Sequence, residues 1–175
     1  MNLQQCLVLT AASGAVLMDL KTGKIANGWI VILWLAGLIT EGLSRGGPGI
    51  ATFLTGAFLP VLTLFWLFFF RMIGAGDIKL LSALGGFLGP AAILTCIWLS
   101  FLFGAILSLG ILIICGNIRQ RLLKFTTYIK HILLPILQGK TTVPVPYREG
   151  KWGMECVHFS VPILLAVLLW IGGFY

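Results

Sequence analysis

The sequence predicts an all-α polytopic membrane protein with six transmembrane helices. Three observations predict this fold class: 59% of the 175 residues are hydrophobic, only 10% are charged, and the mean hydropathy is +1.05. A soluble domain carries about 25% charged residues, whereas a transmembrane helix needs roughly 20 mostly apolar residues in a row. We therefore expect a single membrane domain over residues 1–175.

Six apolar segments supply the predicted transmembrane helices. The stretch from Ile78 to Cys115 has no charged residue after Lys79, and it is too long for one helix across a hydrocarbon core of roughly 30 Å. We divide it into two spans, with a turn at the glycine- and proline-containing stretch "GGFLGP". In chain order, the predicted spans are Leu3–Met18, Gly28–Leu43, Pro48–Phe70, Ile78–Phe87, Pro90–Cys115 and Cys156–Gly172.

The distribution of basic residues predicts the orientation of the chain. The formal net charge is +7, and the positive-inside rule explains it without a nucleic-acid partner. Seven Lys and Arg residues lie in the connection 117–152, which we therefore expect on the cytoplasmic side. Counting back through six spans puts the loop with Lys21 and Lys24 and the loop before Ile78 on that side too. Asp19 and Asp77 then face the same side of the membrane.

The basic connection 117–152 has a helical amphipathic pattern. Apolar residues recur at helical spacing from Ile118 to Ile136, and most of the charged residues fall between them. Such a helix is suited to lie on an anionic leaflet, which would make anionic lipid at the cytoplasmic face a partner. The same pattern is consistent with a cytoplasmic extension of the fifth span, and both alternatives stay open.

The segment "IGAGDIK", residues 73–79, places Asp77 between two strongly apolar runs. A charged side chain beside the membrane core is costly, and the glycines at 74 and 76 allow tight backbone and close approach of another segment. Asp19 follows the first apolar segment. Two carboxyl groups that approach closely share one proton, so one can accept a proton from water while the other donates to a peptide carbonyl. The pair predicts aspartic proteolysis, which uses no metal and no cofactor.

Other interpretations of these residues stay open. The two aspartates can form interfacial ion pairs with nearby basic residues in a non-enzymatic membrane subunit of a pilus or secretion system. A small transporter can use a carboxylate as a proton relay, but it needs polar residues deep in several spans, and few are present. The sequence contains no HExxH, GxSxG or P-loop motif. His158, in the last apolar run, is interpreted as an interior histidine.

Two motifs together resemble the type IV prepilin peptidase family of GxGD aspartic proteases. The first is the lone aspartate of "MDLKTGKIANGWI", where Asp19 precedes Ile25, Ala26 and Asn27, and alanine stands in place of the family's usual proline. The second is GxGDxKL, which residues 74–80, "GAGDIKL", match in full. The resemblance covers nearly the whole chain in the number and order of its apolar segments.

The resemblance implies an inner-membrane endopeptidase that cleaves the leader of type IV prepilins or pseudopilins on the cytoplasmic side. The four cysteines form no CxxC pair, so the chain resembles the short form, without the methyltransferase segment of larger members. We further expect Lys79 to orient or tune Asp77, and Asn27 to cap the second span. The expected site residues are the catalytic Asp19 and Asp77 and the loop-shaping or orienting Gly74, Gly76, Lys79 and Asn27.

Overall fold

The computed structural model describes residues 2–70, 72–115, 126–127 and 158–175. Within these residues the chain is helical and contains no strand, which confirms the predicted all-α class. The predicted basic connection 117–152 falls almost entirely outside the described residues. The helices are α1 (Leu3–Thr22), α2 (Asn27–Phe69), α3 (Ala75–Leu88), α4 (Pro90–Cys115) and α5 (Ser160–Ile171).

Helix α2 reverses direction at Gly46. This residue has φ 63° and ψ −142°, which is not helical and which glycine adopts far more readily than other residues. Trp34 and Phe53 lie on either side of the reversal, yet their ring centroids are only 5.6 Å apart. In a straight helix, 19 residues of separation would place them about 28 Å apart. The halves 27–45 and 47–69 therefore run antiparallel and pack against each other.

The described helices differ in whether they can cross a membrane. By length and composition, three of them are long and apolar enough: α1, α2 and α4. Helix α3 has 14 residues and α5 has 12, so they extend about 21 Å and 18 Å, less than a hydrocarbon core of roughly 30 Å. The predicted six transmembrane helices are therefore confirmed only in part, as five apolar helices of which three meet the criteria for a span.

Glycines bring the second half of α2 into close contact with α3. A Cβ atom on Gly56 would overlap the carbonyl oxygen of Gly85, and a Cβ on Gly85 would overlap that of Gly56. Beside this contact the fully buried ring of Phe53 packs on Gly86 and lies edge-on to Phe87, with centroids 6.0 Å apart. Small residues at such crossings let two helix backbones approach closely.

Helices α1 and α3 run antiparallel, so that the C-terminal end of α1 lies beside the N-terminal end of α3. At one end the Gln4 side chain donates a hydrogen bond to the Phe87 carbonyl oxygen. At the other end Ile25, in the loop after α1, lies in van der Waals range of Gly76 near the start of α3. We call this second end, formed by residues 19–27, 74–79 and 158–160, the carboxylate end of the bundle.

Candidate active site

Asp19 lies in the last turn of α1, rather than after the helix as the predicted span Leu3–Met18 would have it. The helix ends at Thr22, and the left-handed conformation of the C-cap residue Gly23 lets its N–H donate to the Asp19 carbonyl oxygen at 2.7 Å. The Asp19 side chain is only 13% exposed. Its Oδ2 accepts a hydrogen bond from Ser160 Oγ at 2.6 Å and lies 3.1 Å from His158 Nδ1.

His158 and Ser160 are the site residues that the sequence did not predict. His158 was interpreted as an interior histidine, and Ser160 resembles any polar residue at a helix start. Ser160 is fully buried at the first position of α5, and it is 141 residues from Asp19 along the chain. No local spacing connects the two, so only the packing of the last helix against the first reveals this contact.

Asp77 lies in the first turn of α3, where Gly74 is the N-cap. A carboxylate at this position is favoured by the unsatisfied N–H groups and the partial positive charge of a helix start. The side chain is half-buried and folds back toward Gly74, since its Oδ2 lies 3.1 Å from the position that a Cβ on Gly74 would take. Because residue 74 is glycine, the Asp77 carboxylate can occupy this position without a steric clash.

Lys79 and Asn27 join the starts of α3 and α2. The Lys79 Nζ donates a hydrogen bond to Asn27 Oδ1 at 2.9 Å. The prediction that Asn27 caps the second span is wrong, because Ala26 occupies the N-cap position without a side-chain hydrogen bond. Asn27 instead uses its side-chain oxygen for a contact between helices. That Lys79 orients or tunes Asp77 stays a prediction, since the contact described for its ammonium group is with Asn27.

The structure brings all six predicted site residues to the carboxylate end. Asp19 and Asp77 arrive on different helices, and Ile25 in the loop after Asp19 packs against Gly76, with its Cβ 3.7 Å from the position of a Cβ on that glycine. Carboxyl groups at two adjoining helix ends can act as general acid and general base. Among the described residues, no group of three or more His, Cys, Asp or Glu side chains is arranged to hold a metal ion.

An apolar groove begins at the carboxylate end and continues along the bundle. Both halves of α2 and helix α3 form it, and its volume is about 720 Å³. Asn27 and Lys79 are among its lining residues, together with apolar residues that include Trp34, Val61 and Phe65. The lining of the groove is thus almost entirely apolar, with Asn27 and Lys79 at the end that is formed by the starts of α2 and α3.

Comparison with known proteins gives one match. The sequence model of the type IV leader peptidase family matches residues 6–109, more than half of the chain. The matched range contains Asp19, Asp77 and the glycines at 74 and 76, and it ends before α5. No curated protein and no solved structure matches the chain.

Proposed function

Because the chain belongs to the type IV leader peptidase family, and is thus a membrane protease of that general kind, we propose that it is an aspartic endopeptidase. Its substrates are type IV prepilins or pseudopilins of a pilus or secretion system, and it removes their leader peptides. The observation that supports this most directly is the position of Asp19 and Asp77 at one end of the bundle, on helices joined there by the contact between Ile25 and Gly76.

The reaction proceeds by acid–base catalysis. One carboxylate takes a proton from water, and the resulting hydroxide adds to the carbonyl carbon of the scissile peptide bond. The other carboxyl group donates its proton to the carbonyl oxygen, and collapse of the tetrahedral intermediate breaks the C–N bond as the leaving amine is protonated. In one turnover, one of the two aspartates is the general base and the other the general acid, and the base passes the proton it took from water to the leaving amine.

We place the carboxylate end at the cytoplasmic face of the inner membrane, where the leader lies. The two halves of α2 then cross the bilayer in opposite directions, which gives six crossings with α1, α3, α4 and α5. The basic connection 117–152 lies on the same face, where anionic lipid is its partner and nucleic acid is not. Because α3 extends only about 21 Å, Asp77 at its start can sit below the membrane surface.

The apolar groove holds the hydrophobic segment that follows the leader in the substrate. A hydrophobic segment of this kind suits a groove whose lining is almost entirely apolar, with Asn27 and Lys79 among the few polar lining residues. Binding the apolar segment there would present the leader junction to the two aspartates.

The groove predicts a specific effect of filling it. Replacing Val61 by tryptophan should raise the KM for leader cleavage about tenfold, equivalent to about 1.4 kcal/mol of lost binding, with kcat little changed. The matched control is Ile106→Trp, which adds the same ring at an exposed position of α4 outside the groove. An equal KM for the two variants, measured with one prepilin-type peptide in detergent, would contradict the assignment of the groove.

The two glycines of the GxGD motif should differ in their tolerance of alanine. A Cβ on Gly74 would lie 3.1 Å from the Asp77 Oδ2 and displace the carboxylate, whereas a Cβ on Gly76 meets only Ile25 at ordinary contact distance. We expect Gly74→Ala to lower kcat roughly 10- to 100-fold through mispositioning, and Gly76→Ala to lower it less. A greater loss in Gly76→Ala, at equal amounts of folded enzyme, would be inconsistent with this geometry.

Co-expression with prepilin-type substrates tests the proposed activity as a whole. The full chain is produced with a candidate prepilin, and removal of the leader is followed by the increase in gel mobility and by the mass of the new N-terminus. We expect cleavage by the native protein and none by variants that lack either aspartate. If the aspartate variants cleaved the leader as well as the native protein, the non-enzymatic subunit would be the better interpretation.

A further inference from the structure

We infer that His158 and Ser160 are positioning residues for Asp19, so that the last helix completes the catalytic site. This inference rests on the proposed function, because it takes Asp19 to be one of the two catalytic carboxyl groups. Neither residue lies in the range 6–109 that the family model matches. The role of these two residues is therefore inferred from the contacts that they make with Asp19 in this structure.

Among the described residues, two contacts of the Asp19 side chain fall on the same oxygen. Ser160 Oγ donates to Oδ2 at 2.6 Å, and His158 Nδ1 lies 3.1 Å from that atom. In the part of the chain that the structure describes, Oδ1 is thus the carboxylate oxygen left for a water molecule. Two groups that approach Oδ2 from the start of α5 and the residues just before it fix the rotation of the carboxylate as well as its position.

Asp19 needs such support because of its place in α1. It lies in the last turn of the helix, which ends at Thr22, and helix ends fray. Catalysis depends on reacting atoms being held in position, and a displacement of about 1 Å can cost on the order of 100-fold in rate. An anchor from a neighbouring helix removes the freedom that the helix end would otherwise give the carboxylate.

The anchor is itself held in place by packing against α4. Ser160 is fully buried. Its neighbour Phe159 has its ring centroid 5.3 Å from that of Phe101 and lies close to Gly104. The start of α5 is therefore fixed by apolar contacts on one side while its polar groups contact Asp19 on the other.

Steady-state kinetics on the full-length protein tests the inference. The probe is a purified prepilin-type peptide with a basic leader and a hydrophobic segment, and kcat is expressed per folded enzyme after measurement of Tm. Ser160→Ala and His158→Ala remove the two contacts. Ser160→Thr retains the hydroxyl, and His158→Asn retains a donor near the position of Nδ1. Ser100→Ala is the matched control, since it removes a buried hydroxyl that donates within its own helix, to the Cys96 carbonyl oxygen.

We expect Ser160→Ala and His158→Ala to lower kcat roughly 10- to 100-fold at unchanged KM. Ser160→Thr and His158→Asn should recover most of the loss, and Ser100→Ala should keep the native kcat.

Two results would overturn the inference, and they differ in what they imply for the proposed function. Native kcat in Ser160→Ala and His158→Ala, with Asp19→Asn inactive, would leave Asp19 catalytic and reduce the contacts to ordinary packing. A lower Tm without a change of kcat per folded enzyme has the same meaning. Native kcat in Asp19→Asn would remove the proposed function, and with it the premise of the inference.

Discussion

Asp19→Asn and Asp77→Asn are each expected to reduce leader cleavage by roughly 10³-fold or more, to the level of the uncatalysed background. An amide has nearly the size of a carboxyl group but can neither take a proton from water nor donate an acidic one. Each substitution removes one of the two roles, and the reaction needs both. The measurement is the initial rate of cleavage of a purified prepilin-type peptide, with folded protein quantified by its Tm.

The matched control for these variants is Glu41→Gln, the same change from carboxylate to amide at another buried acidic residue. Glu41 lies on α2, with its carboxylate 3.9 Å from Arg45. It is 14 residues from Asn27, or about 21 Å along the helix from the carboxylate end. We expect the Glu41→Gln variant to cleave the leader at the native rate. If all three variants lost activity equally, the effect would reflect the loss of a buried charge rather than chemistry at Asp19 and Asp77.

Gly85→Ala is expected to disrupt the packing of α3 against α2. The added methyl group would overlap the Gly56 carbonyl oxygen, which is backbone and cannot rotate away. The helices must separate to accommodate it, at a cost of about 1–3 kcal/mol or more for an overpacked core. In a protein of this size that corresponds to a fall in Tm of at least about 2–4 °C per kcal/mol.

Gly110→Ala is the control for this substitution. Gly110 is also within a helix, but a Cβ there has no neighbour within 4 Å among the described atoms. Its effect should be limited to helix propensity, which favours alanine by about 1 kcal/mol. The measurement is the Tm of both variants in the same detergent, and we expect the Tm of Gly85→Ala to be the lower. Equal Tm values would show that the contact of Gly56 with Gly85 is not close in the protein.

Much of the arrangement could be predicted from the sequence because it follows from local patterns. The break in α2 falls at Gly46, in the stretch between the predicted spans Gly28–Leu43 and Pro48–Phe70, where glycine and proline interrupt the apolar pattern. Asp19 and Asp77 stand out as candidates in the sequence because an acidic side chain beside a long apolar run is energetically costly. Both features can be recognised within a window of about ten residues of sequence.

The parts that were missed depend on partners far away in the chain. Asn27 was expected to cap its own helix, but its side chain accepts a hydrogen bond from Lys79, 52 residues later. His158 and Ser160 contact Asp19 although most of the chain separates them in sequence. Nothing in the adjacent sequence distinguishes them from an interior histidine and a serine at a helix start. Such contacts are decided by which helices pack together, and apolar periodicity alone does not specify this.

The contact between α1 and α5 also decides when, during synthesis, the candidate site becomes complete. Ribosomes make a protein from its N-terminus, and segments fold in that order during synthesis. A nascent chain already carries Asp19 and Asp77 long before Ser160 has been translated. On our proposal, a growing chain therefore carries both aspartates before it has the residues that position Asp19. Full proteolytic activity then appears only when α5 has been inserted.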